Sequence, residues 1–586
     1  MRPVSVPFPQ APGGRCFFFA KEGVVIHHSG VDIFLRSLME EGVDTIFGYP
    51  GAAIVDIHHQ LIQAPIRHIL VRHEQGAVHA ADGYARASGG VGVCLVTSGP
   101  GATNTVSGIA SAYADSIPIV VFTGQVPTAL IGNDAFQEVD IVGITRPCTK
   151  HNYLVTRIED LARVIKEAFH LAASGRPGPV LVDLPKNLMQ STAPHTSAAA
   201  VDIKSYQPTY HPNVKQLHKV VELIQKAQKP LILAGGGIIL SKASQALNRL
   251  AHIINAPVTA TLMGLGAFPA DSPRWLGMIG MHGTYRANMA SAACDLMIAV
   301  GVRFDDRVTG KIEGFAPHAK IVHIDIDPTS IRKNVPVTVP VVGDCRVTLN
   351  RLNRLLQEAG LFWSPDSRES WMAEIETWKQ THQMRYEQAD VIKPQYVVEK
   401  LHALTGGEAV VTTEVGQNQM WAAQYYHFNQ PNCFITSGGL GCMGFGLPAA
   451  IGAQLARPDR VVVDIAGDGS IQMNIQEMAT AVQYDLPIKV IILNNQYLGM
   501  VRQWQELFYH KCYACTKMEH TPDFLKLAEA YGAMGLRATR PEEVVPVLKE
   551  GLSIPRTVIM EFMVEPEEKV YPMVPAGAPI TEMLLV

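Results

Sequence analysis

Short apolar runs recur along the chain, and most are followed by a turn signal and then by a helical pattern. Buried strands of parallel sheets read as continuous apolar runs, whereas helices repeat apolar residues at i, i+3, i+4 and i+7. The clearest unit has an apolar run over 460–466, a helical face of Ile475, Met478, Ala479 and Val482, and a second apolar run over 487–493. This alternation predicts right-handed βαβ units in doubly wound parallel sheets.

The alternation occurs in three blocks, so the fold class is α/β with three doubly wound parallel-sheet domains. A segment from about 191 to 212 is rich in Ala, Ser, Thr and Pro, and a charged helical linker covers about 356–393. These breaks predict domains over 29–190, 213–355 and 394–565. An N-terminal extension over 1–28 is expected to be disordered, and a proline-rich C-terminal tail covers 566–586.

The amino-acid composition limits the classes of protein to which this chain can belong. Of the 586 residues, 47% are hydrophobic and 17% charged, which is typical of well-buried globular domains. The net charge of −4 gives no basic field, so nucleic acid is an unexpected partner. No apolar run approaches the roughly 18 residues of a membrane span. Nine scattered cysteines, an odd number, indicate reduced, cytoplasmic usage.

Polar residues follow the two apolar runs of the clearest unit. Asp468 ends the first strand and Asn495 follows the second, so both should lie at one edge of the sheet. Their hard oxygens suit Mg²⁺. Gly467 and Gly469 allow close backbone approach, and Ser470 is expected to open a helix whose N–H groups favour phosphate. The sequence therefore predicts a Mg²⁺–diphosphate site.

Several other features leave two interpretations open. Taken alone, Glu74 is an ordinary first-turn helix residue. The glycine loop 235–237 and the polar strand ends of the middle block fit either a nucleotide site or plain βα turns. Zinc-ligand residue types at short spacing are either a metal site or incidental groups on a mobile flap; they are His510, Cys512, Cys515 and His520.

From about residue 30 to the C-terminus, the sequence resembles the catalytic subunits of the acetohydroxyacid synthase (acetolactate synthase) family, which are thiamine diphosphate enzymes. The resemblance rests on a set of specific segments: FGYPGAAI, RHEQGAVHAADGYAR, TSGPGATN, GQVPTALIGNDAFQEVD, SGRPGPVLVDLPK, TLMGLGAFP, GMHGTYRAN, GVRFDDRVTG, HIDIDPTSI, GGLGCMGFGLP, GDGSIQMNIQE and YLGMVRQWQ. It implies the three-domain fold of that enzyme class.

The resemblance also implies roles for individual residues. Glu74 would hydrogen-bond the aminopyrimidine of thiamine diphosphate and promote proton removal from its thiazolium carbon. Mg²⁺ would be held by Asp468, Asn495 and the backbone carbonyl of Tyr497. Other thiamine diphosphate contacts would be Gln137, Gln417, Asn418, Gly441, Met443, Gly469 and Ser470.

FAD is implied as a structural cofactor of the middle domain. Its contacts would be Arg176, Gly236, Thr261, Leu262, Met263, His282, Arg303, Asp325 and Ile326. The substrate site would include Gly51, Phe136, Lys186, Arg303, Met500 and Trp504, and Trp504 would favour 2-oxobutyrate as the acceptor. The sequence departs from the usual family pattern at Cys442, often Thr, and at Tyr497, often Glu or His; carbonyl ligation should survive the second change.

The implied reaction decarboxylates pyruvate and joins its two-carbon unit to a second pyruvate or to 2-oxobutyrate. The implied assembly is a homodimer or homotetramer with the active site between chains, together with a small regulatory subunit. A flavin oxidase or simple decarboxylase of the same superfamily is one rival. A non-catalytic binding subunit is another, but it would be expected to lose Glu74, Asp468 or Asn495, and all three are present.

Overall fold

Three parallel sheets of six strands each organise the chain, as the sequence predicts. The structure is a computed structural model that describes residues 27–195 and 200–585. The predicted N-terminal extension lies outside the described residues except for His27 and His28. These two residues begin a short strand, so the first described element starts slightly before the predicted domain.

The first sheet has the strand order β3-β2-β4-β5-β7-β6. Its strands are β2 Thr45–Tyr49, β3 Arg67–Leu70, β4 Gly92–Val96, β5 Ile119–Gln125, β6 His151–Leu154 and β7 Val180–Pro185. The helices of this region are α1 Gly30–Glu40, α2 Val55–Leu61, α3 Glu74–Ser88, α4 Pro100–Thr103, α5 Val106–Asp115, α6 Ile141–Thr145, α7 Leu161–Ala173 and α8 Lys186–Gln190. A separate antiparallel pair, β1 His27–Ser29 and β8 Thr192–Pro194, closes the region, and the sequence had indicated only a linker at the second strand.

The middle sheet has the order β11-β10-β9-β12-β13-β14. Its strands are β9 Pro230–Ala234, β10 Val258–Ala260, β11 Trp275–Met278, β12 Leu296–Val300, β13 Lys320–Asp325 and β14 Val339–Val342. Its helices are α9 Val214–Lys226, α10 Gly236–Leu240, α11 Ser244–Ile253, α12 Tyr285–Ala293, α13 Asp306–Thr309, α14 Cys345–Glu358 and α15 Glu369–Thr381.

The last sheet has the order β16-β15-β17-β18-β20-β19. Its strands are β15 Val410–Thr413, β16 Phe434–Ile435, β17 Val462–Gly467, β18 Lys489–Asn494, β19 Met534–Ala538 and β20 Val558–Met563. Its helices are α16 Pro394–Thr405, α17 Gln417–Tyr425, α18 Gly446–Ala456, α19 Met478–Gln483, α20 Gly499–Phe508, α21 Phe524–Tyr531 and α22 Pro541–Ser553. The apolar side chains of β17 and β18 are fully buried, which explains their unbroken apolar sequence.

The C-terminal tail folds back onto the rest of the chain. Met573 pairs with Leu584, and Pro579 forms a bridge with Gly310 of the middle domain. Ile580 is fully buried against the middle domain's core. Within 27–195 and 200–585, no helix has both the length and the apolar character needed to cross a membrane.

Candidate active site

Two neighbouring strand ends of the last sheet bring the predicted metal ligands together. β17 and β18 are parallel and paired, with Gly467 opposite Leu493. Asp468 follows β17 directly, and Asn495 follows β18. Parallel strands end at one edge of a sheet, and ligands bind there. The predicted juxtaposition of these residues is therefore present.

The Asp468 carboxylate is buried without a partner. The residue is only 1% exposed, and among the described residues neither carboxylate oxygen has a hydrogen bond. Burial raises the pKa of Asp468 to about 7, and the nearby backbone N–H groups of Asp468 and Asn495, which do not form hydrogen bonds with the carboxylate, offset part of this effect. An unpaired buried carboxylate costs free energy unless a cation compensates it. This arrangement fits a divalent cation with oxygen ligands.

Asn495 has a defined amide orientation. Its Oδ1 accepts a hydrogen bond from the Tyr497 backbone N–H at 3.0 Å, and its Nδ2 donates to Gln417 Oε1 at 3.2 Å. The Tyr497 ring lies 4.9 Å from the Arg502 guanidinium, a cation–π contact. The side chain of Tyr497 is thus engaged elsewhere, which leaves its backbone carbonyl as the group available to a metal.

The turn after Asp468 differs from the expected helix. Ser470 is followed by two short 3₁₀ turns, Ile471–Met473 and Ile475–Glu477, and α19 begins only at Met478. Asn474 interrupts the helix with φ −134°, and its Nδ2 donates to the Gly444 carbonyl at 2.6 Å. Ser470 therefore opens a short 3₁₀ turn, and the longer helix that the sequence predicted begins only at Met478. The Ser470 hydroxyl bonds the Gly467 backbone at 3.2 Å.

Close packing explains the glycine after Asp468. A Cβ on Gly469 would lie 2.7 Å from Leu498 Cδ2. Leu498 belongs to a segment that pairs with 516–518, through hydrogen bonds from Leu498 N–H to the Thr516 carbonyl and from Met518 N–H to the Gln496 carbonyl. The segment around Met518 therefore lies next to the metal turn.

Asn418, at the start of α17, forms hydrogen bonds with two strand ends. Its Nδ2 donates to the carbonyls of Glu414, at 3.0 Å, and Ile465, at 2.8 Å. With the amide nitrogen engaged by strand carbonyls, the Asn418 Oδ1 is directed at the glycine turns of Gly416 and Gly467. The predicted cofactor contact thus faces the turn that carries Asp468.

Met443 is half-buried in the glycine-rich loop that leads into α18. This loop is fixed by Glu414, a residue that the sequence analysis did not select. Glu414 accepts hydrogen bonds from the backbone N–H groups of Gly444, at 2.6 Å, and Leu447, at 3.2 Å. The available signal was its position: an acidic residue directly after the buried strand β15, in a block that also contains a glycine-rich loop.

Glu74 is the first residue of α3, at the C-terminal edge of the first sheet. Its Oε2 accepts a hydrogen bond from Asn104 Nδ2 at 2.9 Å, and its Oε1 lies near Gly101. The preceding residue, His73, caps the helix by accepting from the Gln75 N–H. Glu74 is therefore held at a helix start beside the Pro100–Thr103 turn.

The other predicted residues of the first domain lie at the same sheet edge. Gln137 has φ +61° and packs directly on Gly99, where a Cβ would lie 2.8 Å from the Gln137 carbonyl. Gly51 packs equally closely on Thr97. Phe136 is 88% exposed, and Lys186 follows β7 directly. Within one chain, the Phe136 ring is therefore open to solvent.

Glu74 and the predicted metal ligands share no direct hydrogen bond within the described part of one chain. Among the described residues, no hydrogen bond joins Glu74 to Asp468 or to Asn495. The first and last domains do pack together, but through α3 and α18. Within one chain, over the residues that the structure describes, no direct hydrogen bond therefore links Glu74 to the turn that carries Asp468.

A separate cavity of about 720 Å³ lies where the three domains meet. All nine predicted FAD contacts line it, together with Gly441, Met500 and Trp504 from the last domain. The first domain contributes Asp115, Ser116 and Arg176, and the Arg176 guanidinium is held by Ser116 at 2.8 Å and Asp327 at 3.1 Å. The cavity is large enough for a cofactor, and its lining is mixed polar and apolar.

Arg303 lines this cavity from a constrained turn. Phe304 has φ +54°, a conformation that costs a bulky residue free energy. Asn334 stabilises the turn by donating to the carbonyls of Phe304, at 2.8 Å, and Arg303, at 3.2 Å. Burial lowers the pKa of His282 to about 4, so this cavity residue is neutral near pH 7. Asn334 is a second residue that the sequence analysis missed.

The residues His510, Cys512, Cys515 and His520 lie in the exposed segment after α20. In the part of the chain that the structure describes, no group of three or more His, Cys, Asp or Glu residues is placed to hold a metal. Cys512 and Cys515 are both exposed and unpaired. The geometry therefore gives no support to the zinc alternative.

The sequence matches three domain families that together define a class of enzyme. Residues 28–144 match the N-terminal TPP-binding domain of thiamine pyrophosphate enzymes, 217–352 the central domain, and 414–562 the C-terminal TPP-binding domain. Thiamine pyrophosphate is another name for thiamine diphosphate. The chain is therefore a thiamine diphosphate-dependent enzyme with three α/β domains.

Similar proteins narrow this class. The chain is 50% identical to the acetolactate synthase isozyme 3 large subunit of Escherichia coli, with 95% of this chain and 98% of that protein covered. It is 49% identical to the acetolactate synthase large subunit of Haemophilus influenzae over the same shares. It is 47% identical to acetolactate synthase 1, chloroplastic, of Nicotiana tabacum, covering 95% of this chain and 84% of that protein. The chain belongs to the acetolactate synthase large-subunit family.

Proposed function

We propose that this chain synthesises 2-acetolactate from two molecules of pyruvate, with release of one CO₂. With 2-oxobutyrate as the acceptor, the product is 2-aceto-2-hydroxybutyrate. This reaction is the first common step of valine, leucine and isoleucine biosynthesis. The observation that carries the proposal is the unpartnered, buried Asp468 carboxylate beside Asn495, in a chain whose relatives are named acetolactate synthases.

The metal and diphosphate would be held at the turn after β17. Asp468, the Asn495 Oδ1 and the Tyr497 carbonyl would ligate Mg²⁺, which would bind the diphosphate of the cofactor. The residues around this turn, Gln417, Asn418, Gly441, Met443, Gly469 and Ser470, would contact the cofactor. When bound, thiamine diphosphate supplies a carbon nucleophile and accepts the electron pair left by CO₂. Met443 would pack against an aromatic ring of the cofactor.

Glu74 would hold a proton at the aminopyrimidine ring of the cofactor and thereby promote deprotonation of its thiazolium carbon. Gln137 lies at the same sheet edge and would contact the cofactor as well. Phe136, Lys186 and Gly51 would line the entrance for the 2-oxo acids. Because no hydrogen bond joins Glu74 to Asp468 among the described residues of one chain and the family resemblance implies a site between chains, Glu74 of one copy would face Asp468 of a second copy. The minimum functional unit would therefore be a homodimer, and a homotetramer would keep the same site.

FAD would occupy the 720 Å³ cavity. The lining fits a dinucleotide: Arg176 is suited to phosphate, and the glycine turn at Gly236 packs closely on Met263. Thr261, Leu262, His282, Asp325 and Ile326 would complete the flavin contacts. Arg303 would bind the substrate carboxylate where the cavity meets Met500 and Trp504. The flavin would have a structural role.

Further proposals concern organisation and partners. We assign the pyrimidine-binding half to 29–190, the flavin domain to 213–355 and the diphosphate-binding half to 394–565. Relatives named large subunits support a separate small regulatory subunit as a partner. A cytoplasmic location is supported by eight unpaired cysteines among the described residues.

Product identification tests the proposal. Purified protein is given pyruvate, thiamine diphosphate, Mg²⁺ and FAD, and the products are identified by NMR with and without 2-oxobutyrate. We expect 2-acetolactate, replaced in part by 2-aceto-2-hydroxybutyrate when 2-oxobutyrate is present. Acetaldehyde or acetate as the main product would instead indicate the rival decarboxylase or oxidase. A reaction without thiamine diphosphate serves as the control.

A further inference from the structure

A chain of buried side-chain amides links the C-terminal tail to Asn495. Gln503, on α20, is 1% exposed, and Gln417 is 5% exposed. Gln417 Nε2 donates to Gln503 Oε1 at 2.9 Å, and Gln417 Oε1 accepts from Asn495 Nδ2 at 3.2 Å. Three amides therefore stand in series between the tail and the metal turn. Neither the sequence analysis nor the proposed function uses Gln503.

The backbone of the tail fixes the direction of the first amide. Val570 N–H donates to Gln503 Oε1 at 2.9 Å, and Gln503 Nε2 donates to the Val570 carbonyl at 3.1 Å. A backbone N–H can only donate and a carbonyl can only accept. A flipped Gln503 amide would place its Nε2 opposite the Val570 N–H and its Oε1 opposite the Val570 carbonyl, so that donor would face donor and acceptor would face acceptor. Its orientation is therefore determined by Val570.

The second amide is fixed in the same way. Gln417 Nε2 donates both to Gln503 Oε1 and to the Glu568 backbone carbonyl, the latter at 3.0 Å. Both of these groups are acceptors, so the nitrogen of Gln417 must face them. Its Oε1 is then left to face Asn495. A Cβ on Gly499 would lie 2.0 Å from this oxygen, so the space around it is closed.

The third amide is the metal ligand. Because Gln417 presents an acceptor, Asn495 must present its Nδ2 on that side, which turns its Oδ1 away from Gln417. The Tyr497 N–H donates to this Oδ1 at 3.0 Å, in agreement with the same orientation. The Asn495 Oδ1 therefore lies on the side of the proposed metal site, as ligation of the metal requires.

We propose that Gln503 is a positioning residue that sets the amide direction of Gln417 and, through it, turns the Asn495 oxygen toward the metal. The inference rests on the proposed Mg²⁺–diphosphate site. Outer partners that orient metal ligands affect affinity strongly, and their loss typically weakens metal binding about 10–100-fold. The C-terminal segment 568–570 thereby becomes part of the support of the metal site.

Binding of Mn²⁺ in the presence of thiamine diphosphate, followed by electron paramagnetic resonance of the free ion, tests this proposal. The variant Gln503→Met keeps the side-chain volume but removes the amide. The matched control is Gln454→Met, since Gln454 is a 2% exposed glutamine of the same domain whose Nε2 donates to the carbonyls of Arg457 and Arg460. We expect the Mn²⁺ dissociation constant to rise about tenfold or more in Gln503→Met and to change by less than about twofold in the control.

Equal affinities for wild type and Gln503→Met would overturn the proposal, and so would an equal loss in both variants. If Gln503→Met does not fold, Gln503→Glu replaces it, because a protonated carboxyl group keeps an acceptor for Gln417 and for Val570 N–H and a donor for the Val570 carbonyl. We expect that variant to bind Mn²⁺ within about threefold of wild type; a tenfold loss would contradict the acceptor's role. Failure of the wild-type protein to bind Mn²⁺ would instead overturn the proposed function.

Discussion

Glu414 and Asp464 form a pair of buried carboxyl groups beneath the start of α18. Asp464 Oδ1 lies so close to Gly446 that a Cβ there would be 2.2 Å away, and Glu414 bonds the neighbouring N–H groups of Gly444 and Leu447. Burial raises the pKa of both carboxyl groups, and the negative charge of Glu414 raises that of Asp464 further. One proton is therefore retained by the pair at a pH where isolated carboxyl groups would be ionised.

This pair predicts a pH dependence of stability. The folded chain keeps protons that the unfolded chain loses above about pH 4.5, so stability falls as pH rises toward the raised folded pKa values. We expect the free energy of unfolding of Asp464→Asn to fall less than that of wild type between about pH 6 and pH 8.5. Thermal denaturation of wild type and of the variant at both pH values measures this loss of stability. The same loss in the variant and in wild type would contradict the shared-proton account.

Trp504 is the residue at which specificity can be tested. It lines the cavity beside Met500, and its indole ring packs against Phe508 with ring centroids 5.6 Å apart. Replacing the indole by Leu removes a large contact surface for the acceptor. We expect Trp504→Leu to lower the preference for 2-oxobutyrate over pyruvate about tenfold while keeping activity with pyruvate.

Competition between the two acceptors, with both products quantified by NMR, measures this preference. The matched control is Trp363→Leu, since Trp363 is a partly buried indole of the middle region that does not line the cavity. An unchanged product ratio in Trp504→Leu, or an equal change in both variants, would refute the assignment of Trp504 to the acceptor pocket.

At the scale of elements, α3 and α18 join the first and last domains by close backbone contact. A Cβ on Gly452 would lie 1.9 Å from the Ala80 carbonyl oxygen, and one on Gly83 would lie 2.2 Å from the Ala449 carbonyl oxygen. The two helices therefore approach through reciprocal glycines. Glu74 begins α3, so this contact also helps to fix the position of the proposed proton-holding residue.

We expect Gly452→Ala to destabilise the protein by at least about 2 kcal/mol, because the new methyl group meets rigid backbone. The control Gly90→Ala, where a Cβ would contact only the Ser88 hydroxyl at 3.4 Å, should change stability by less than about 0.5 kcal/mol. Denaturant unfolding of both variants tests the difference. Similar free energies of unfolding in Gly452→Ala and Gly90→Ala would contradict the close packing of α3 against α18.

The sequence predicted strands better than the segments between them. The apolar runs over 460–466 and 487–493 predicted β17 Val462–Gly467 and β18 Lys489–Asn494 to within two residues at each end, because a buried parallel strand is an unbroken apolar run. The helix after Asp468 was predicted too long, since the apolar period from Ile475 begins in the 3₁₀ turn Ile475–Glu477, before α19 starts at Met478. Its buried residues include Glu477, which accepts N–H groups of Arg72 and His73 from the first domain. Such a contact between distant segments leaves no periodic signal.

Part of the candidate site could be predicted from the sequence, because it follows directly from the positions of the buried strands. Asp468 and Asn495 follow apolar runs and could be placed at one sheet edge from the sequence. The roles of Glu74 and Arg303 came from the family resemblance. Glu414 and Gln503 act through hydrogen bonds to loops that are remote in sequence, and only the folded structure brings these groups together.

At the scale of the whole molecule, the three domains share two sites. The cavity for the flavin lies among all three domains of one chain. We infer that the thiamine diphosphate site is split between two chains, since Glu74 and Asp468 have no hydrogen bond to each other among the described residues and Phe136 is left 88% exposed. A second copy that covers Phe136 would complete the site. Catalysis would then depend on association of the two chains.

The central claim is that Glu74 of one chain and Asp468 of another act on pyruvate together. Glu74→Gln and Asp468→Asn chains are prepared separately and as co-expressed mixtures, and 2-acetolactate formed from pyruvate is quantified by NMR. Each variant alone should lose about a hundredfold or more in rate. In the mixture, half of the sites in mixed dimers regain both native residues, so we expect about a quarter of wild-type activity. No recovery of 2-acetolactate synthesis in verified mixed dimers would contradict the account.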